Sequence, residues 1–173
     1  MLTGCAARPK LPDYSHIPDF TLTDQTGALF SSAAQLHGHV WVADFIYTTC
    51  PGPCPRMSSQ MHEVQTALSK DGGFRFVSFT VDPKNDTPPV LAAYAKNFDA
   101  KPGWFFLTGA ESTLQRLCRN AFMLGNVDES LQHSTRFVLV DRDSQVRGYY
   151  ETSDADAIPK LISDAKAIIR ERG

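Results

Sequence analysis

One stretch constrains this chain more than any other. "VWVADFIYTTCPGPCPRM" (40–57) runs an apolar, strand-sized segment into two cysteines three residues apart, and then into helical spacing. Val40 to Tyr47 is aromatic and β-branched enough for a buried strand. Met57, Met61, Val64 and Leu68 recur at i, i+4, i+7 and i+11, which predicts a helix over 55–70. Pro55 suits its first turn, and Gly72-Gly73 stops it. Between strand and helix lie Pro51, Gly52 and Pro53, which make a stiff, surface-seeking loop between Cys50 and Cys54. A cysteine at a helix N-terminus feels the positive end of the dipole and unpaired backbone N–H groups, which favour thiolate over thiol; Arg56 adds to this. Thiolate is the form that attacks disulfides and binds metals, so Cys54, and Cys50 with it, are candidates for a reactive pair.

The rest of the chain alternates in the same way. "PDFTLTDQTGALFS" (18–31) reads as a β-hairpin around Asp24-Gln25-Thr26-Gly27, and a helical turn follows over 31–36. "FRFVSFTV" (74–81) is a second core strand, a helix from Pro88 runs to Phe98, and "WFFLTG" (104–109) is a short strand. An amphipathic helix covers 111–124, strands at 136–141 and 146–151 form a hairpin, and a last helix spans about 154–171. Strands alternating with helices, then a closing hairpin and helix, imply an α/β fold with a central mixed sheet covered on both faces. A β-α-β half followed by a β-β-α half is the thioredoxin arrangement, here with an N-terminal hairpin added. In that fold a cysteine pair sits where the first long strand gives way to a helix, the place that Cys50 and Cys54 occupy. Residues 1–16 read as a flexible tether and 17–173 as one thioredoxin-like domain.

Composition narrows the function classes. With 173 residues the chain can bury roughly 70% of its unfolded surface, so it needs neither disulfide nor metal to fold. Its net charge of −2 and the absence of a basic stripe argue against nucleic acid as a main partner. No apolar run reaches the ~18 residues of a membrane span; the strand-sized candidate carries Asp44. "LTGCAA" (2–7), however, resembles a bacterial lipoprotein cleavage box with Cys5 as the lipidated residue. The charged and apolar parts of a leader do not precede it, and truncation of a longer precursor reconciles the two. Read so, the protein hangs by a lipid from a membrane, in an oxidising compartment of the bacterial envelope where disulfides persist. Four cysteines (Cys5, Cys50, Cys54, Cys118) with only the middle two close together are no disulfide framework.

The three-residue spacing bears on metal binding. Residues i and i+4 share a helix face, so if the helix starts within the loop both sulfurs point the same way. They can close a disulfide or grip one soft ion. Two thiolates suit Cu(I) or zinc, and an added imidazole suits Cu(II) as well. Of the five histidines, His16 lies in the tether, His37 and His39 flank Gly38 in a loop, and His62 lies on the first long helix; each reads as solvated or capping. His133 stands out because "LQHSTRF" (131–137) leads into a core strand. In thioredoxins the loop entering this strand approaches the cysteines and carries a proline. Here the stretch is His133-Ser134-Thr135, leaving an imidazole able to reach the sulfurs. Met57 and Met61 read as core packing, and Cys118 as a small buried residue.

Taken together, "DFIYTTCPGPCPRM" (44–57), "VSFTVDPKNDTP" (77–88) and "LQHSTRFVLVD" (131–141) resemble the SCO/SenC family, copper-handling thioredoxin-fold proteins of cytochrome c oxidase assembly. The resemblance implies that Cys50, Cys54 and His133 ligate one copper ion, Cu(I) or Cu(II), and that the same cysteines can form a disulfide. It implies a partner in the copper-site subunit of the oxidase, with another copper chaperone or a thioredoxin-like reductant acting on this protein in turn. Asp82 and Asp86 match the family's acidic segment, where they support the site or dock a partner; read locally, "VDPKNDTP" is a turn and helix start capped by Asp86 or Thr87. Ser144 stands in the "DRDSQVRG" hairpin where the family commonly has glycine, a departure expected to be harmless. A metal-free thiol–disulfide oxidoreductase or peroxidase-like enzyme could use the same cysteines, as could a redox or copper sensor.

Overall fold

A buried strand that ends in a proline-rich loop needs neighbours on both sides, and the fold supplies them. The computed structural model describes residues 10–70, 73–125 and 134–171. β3 (Trp41–Ile46), buried along its whole length, pairs in parallel with β4 (Arg75–Thr80), and β4 with β5 (Trp104–Thr108). On its other side β3 pairs antiparallel with β6 (Arg136–Val140), which turns back into β7 (Val146–Glu151). The N-terminal hairpin, β1 (Thr21–Asp24) and β2 (Leu29–Ser31), extends the sheet antiparallel to β5. The seven-stranded order is β2-β1-β5-β4-β3-β6-β7. This is the thioredoxin-like mixed sheet with a hairpin extension expected from the alternation.

The pleat sends successive β3 side chains to opposite faces. Val42 and Ile46 pack under α2 (Pro53–Leu68), α3 (Pro88–Asn97) and α5 (Ala157–Arg170). Trp41, Ala43 and Phe45 pack on the other face, under α1 (Ser32–Gln35) and α4 (Glu111–Arg116). Met57 and Met61 are fully buried in the first of these cores, and Cys118 is buried in the second.

Two expectations about elements change. The helix expected over 111–124 keeps α-helical form only to Arg116, then widens into a π turn over Leu117–Ala121. The wider turn delivers Phe122 into the core, where its ring meets Trp41, Phe45 and Phe79 edge-on. The segment read as tether is also fastened from Leu11 onward. Tyr14 N–H donates to the Val146 carbonyl, Val146 N–H to Ser15, and Ile17 N–H to Ser144, so this strap lies along the edge of β7. The buried Arg147 donates to the carbonyls of Leu11 and Pro12 and pairs with Asp13 and Asp141.

Candidate metal and thiol centre

The cysteine loop is built by the end of β3 and the start of α2. Two prolines, at the first and third positions of α2, lack N–H groups that would in any case have no partner there, so the helix begins at Pro53, inside the loop. Cys54 therefore sits in the first turn, with Met57, Ser58 and Met61 following on the buried face. Cys50 precedes the helix, its N–H bonded to the Tyr47 carbonyl at 3.2 Å. Both side chains are buried thiols without a disulfide, Cys50 at 7% exposure and Cys54 at 0%.

The two sulfurs meet. Burial works against charge on Cys50, but the Cys54 thiol, the backbone N–H groups of Cys54 and Gly52 and the Tyr47 hydroxyl all donate toward its sulfur and together hold its pKa below the ordinary thiol value. Cys54 goes the other way. Its burial, its hydrogen bond to Cys50 and the charge that Cys50 carries push its pKa well up. The helix N-terminus was expected to favour thiolate at Cys54; desolvation outweighs the dipole there, and Cys50 is the thiol whose pKa is lowered. Of the two thiols, Cys54 therefore holds its proton the more tightly. Tyr47 is held up in turn, by burial first and then by its bond and proximity to Cys50.

Asp86 anchors the loop from the side. Fully buried, it accepts the Thr48 N–H at 3.2 and 3.3 Å, the Thr48 hydroxyl at 2.5 Å and the Thr80 hydroxyl at 2.5 Å. Asp82, also buried, donates its N–H to the Thr80 hydroxyl and takes the Asn85 amide on its carboxylate. The "VDPKNDTP" turn is thus one hydrogen-bonded unit linking β4 to the residue two before Cys50.

Beneath the cysteines lies a carboxyl that sequence reasoning passed over. Asp44 shares the β3 face with Val42 and Ile46 and is 0% exposed, and neither oxygen reaches a hydrogen-bond partner. Ser78, its neighbour on β4, lies short of bonding geometry and gives its own hydroxyl oxygen to the Trp104 indole N–H. Burial raises the Asp44 pKa to about 7, with Ser78 offsetting part of the rise. Its charge bears on Cys54 and on Tyr94, whose hydroxyl shares a 2.9 Å hydrogen bond with Ser58. A lone carboxylate in an otherwise apolar strand, six residues before the first cysteine, was the available signal.

The remaining candidates separate. His16 bridges to Gln145, His37 pairs with Asp19 at 2.8 Å, and His39 bonds the Gly73 carbonyl at 2.6 Å. His62 lies half-buried on α2 with its Nδ1 lacking a partner. Cys5 and His133 lie outside the described residues. Among the described residues no three His, Cys, Asp or Glu side chains cluster closely enough to hold a metal ion. The donors present fit a soft ion in chemistry: two sulfurs already in contact, one poised as thiolate and one carrying a displaceable proton.

Comparison with known proteins bears on this centre. The SCO1/SenC family profile matches residues 9–170. A Bacillus subtilis SCO1 protein homolog is 32% identical over 174 residues, 96% of this chain and 90% of that one. The solved structure of BsSco, described as having a disulfide switch and as a member of the Sco family of cytochrome c oxidase assembly proteins, superposes with a TM-score of 0.84. It is 31% identical, over 95% of this chain and 99% of that one. A SCO1/SenC family lipoprotein from Bacillus anthracis gives 0.82 at 30% identity, over 89% and 95% of the two chains. Copper-bound ScoI from Bradyrhizobium japonicum gives 0.73 at 25% identity, over 89% and 99%.

Proposed function

Because the chain belongs to the SCO1/SenC family, we propose that it is a copper chaperone of cytochrome c oxidase assembly, binding one Cu(I) or Cu(II) through Cys50, Cys54 and His133. The observation that carries this is the sulfur pair at the head of α2, with Cys50 held toward thiolate and Cys54 bonded to it. Copper displaces the Cys54 proton and takes both sulfurs; the imidazole of His133, three residues before β6, completes the site for the harder Cu(II) ion. Asp86 and Asp82 hold the loop that presents Cys50. Their burial favours support of the site over direct partner docking. The lipoprotein relative and the "LTGCAA" box support anchoring through Cys5 at an extracytoplasmic membrane face.

The sulfur pair also favours a second role at the same centre, thiol reduction of the acceptor. The Cys50 thiolate attacks one sulfur of a disulfide in the partner's copper site, forming a mixed disulfide and releasing the other sulfur as a thiolate. Cys54 then attacks the Cys50 sulfur, and its proton passes to a departing thiolate. Two electrons move to the partner, and Cys50–Cys54 is left oxidised. The test is to mix the copper-loaded reduced protein with the soluble copper-site domain of the oxidase subunit. Transfer of one copper per chain supports chaperoning. Rapid metal-free turnover of disulfide or peroxide without copper transfer would favour an enzyme.

A further inference from the structure

The residue that follows β3 is aimed at the first cysteine. The Cys50 N–H, bonded to the Tyr47 carbonyl, closes a turn over 47–50 and brings the first and last residues of that turn close together. Asp86 holds Thr48, the second residue of the turn, by its backbone N–H and its hydroxyl, so the turn is braced. The Tyr47 ring packs against the cores on both faces of the sheet, which fixes where its hydroxyl points. That hydroxyl hydrogen-bonds the Cys50 sulfur, with the Cys54 sulfur and the Asp82 carboxylate as its other ionisable neighbours. Burial and these neighbours keep the phenol proton in place, so Tyr47 is the donor and Cys50 the acceptor.

The donors around Cys50 differ in what copper binding does to them. The Cys54 thiol gives up its proton when its sulfur takes the metal, and then donates nothing. The N–H groups of Cys54 and Gly52 belong to the backbone. Tyr47 is the side-chain donor whose proton metal binding does not consume, on a residue outside the proposed copper ligands. A hydrogen bond to sulfur is strongest where the sulfur carries most negative charge. A thiolate outranks a disulfide sulfur, and a thiolate on Cu(I) outranks one on Cu(II), which draws more electron density from it. A donor at Cys50 therefore stabilises dithiol over disulfide and Cu(I) over Cu(II), as hydrogen bonds around a thiolate tune copper sites in general.

We propose that Tyr47 sets the redox preference of this centre: its hydroxyl, bonded to the Cys50 sulfur, biases the cysteine pair toward the reduced thiols and bound copper toward Cu(I). The copper half rests on the metal site proposed above; the thiol half does not. The variant is Tyr47→Phe, which keeps the ring in both cores and removes the hydroxyl. Metal-free protein is equilibrated with reduced and oxidised dithiothreitol in mildly alkaline buffer. The reduced reagent gives two electrons and two protons to the Cys50–Cys54 disulfide and closes its own cyclic disulfide. The ratio of protein disulfide to dithiol should be at least ~3-fold higher in the variant, the effect of losing one hydrogen bond to sulfur. In copper-loaded protein the ratio of Cu(I) to Cu(II) affinity should fall at least ~3-fold. The sulfur-to-Cu(II) charge-transfer band should move to longer wavelength, because the donor no longer lowers the energy of the sulfur electrons. Tyr47→Leu lacks the hydroxyl but differs in shape, and should move all three readings the same way, so it serves if Tyr47→Phe folds poorly. If neither wild type nor variant binds copper, the metal-site reading falls, and the dithiothreitol equilibrium alone decides the role of Tyr47. An unchanged disulfide-to-dithiol ratio in Tyr47→Phe, or an unmoved band and affinity ratio in copper-binding protein, would overturn the proposal.

Discussion

The carboxylate of Asp86 holds Thr48, accepting both its backbone N–H and its hydroxyl, two residues before Cys50. The same carboxylate takes the Thr80 hydroxyl from β4, so one buried charge ties the cysteine loop to the sheet. Thr48→Val removes the hydroxyl bond alone and should cost about 1–2 kcal/mol. Asp86→Ala strands two hydroxyls and an N–H and should cost about 3–5 kcal/mol. Urea unfolding measures both. Equal, negligible losses would show that the brace contributes nothing.

Protonation order at the pair is open to direct measurement. With Cys50 held down and Cys54 held up, iodoacetamide at neutral pH should alkylate Cys50 first, by at least ~10-fold, as read by peptide mass spectrometry. Because metal binding must displace the Cys54 proton, Cu(I) affinity should rise as pH rises from 6 to 8. An affinity flat across that range would contradict a proton held on Cys54.

Asp44 makes a stability prediction with a definite sign. Its folded pKa of about 7 lies above the ordinary carboxylate value of 3.8, so over that interval the unfolded chain releases a proton that the folded chain keeps. The folded state is therefore penalised progressively as pH rises from about 4 to 7, by up to roughly 4 kcal/mol. Asp44→Asn removes the titration, so its stability relative to the wild type should improve across that window. Denaturant melts at pH 4 and pH 7 check this; a difference between the two proteins that is independent of pH would rule out the assignment.

What the sequence made legible and what it hid divide along physical lines. The strand-loop-helix around the cysteines was readable because periodicity and proline placement are local signals. The meeting of the sulfurs does not come from a shared helix face, because α2 begins at Pro53 and Cys50 lies in the loop before it. The charge on the sulfurs was not readable, because it depends on burial under α2 and on Tyr47, which only the fold supplies. Asp44 was visible as a carboxylate in a strand, but its isolation depends on how Ser78 and Trp104 pair across β4 and β5. The strap escaped notice because its bonds are mostly backbone bonds to an edge strand more than 120 residues away.

Ser144 closes the β6–β7 hairpin with φ of 60°, in the left-handed region, and is buried. The departure from glycine there, expected to be harmless, carries backbone strain. Ser144→Gly should stabilise the protein by about 0.5–1 kcal/mol, seen as a raised melting temperature with unchanged copper binding. A lowered melting temperature would mean that the serine side chain contributes more than the strain it imposes.

The account turns on copper held by Cys50, Cys54 and His133. Titration of the reduced protein with Cu(I) and with Cu(II), beside Cys50→Ala, Cys54→Ala and His133→Ala, tests that most directly. One copper per chain is expected in the wild type and strongly impaired binding of either ion in both cysteine variants. In His133→Ala, Cu(II) binding should weaken by at least ~100-fold while Cu(I) binding falls far less, since two thiolates suffice for the softer ion. A full-strength Cu(II) complex in His133→Ala, or undiminished copper binding without either cysteine, would contradict it.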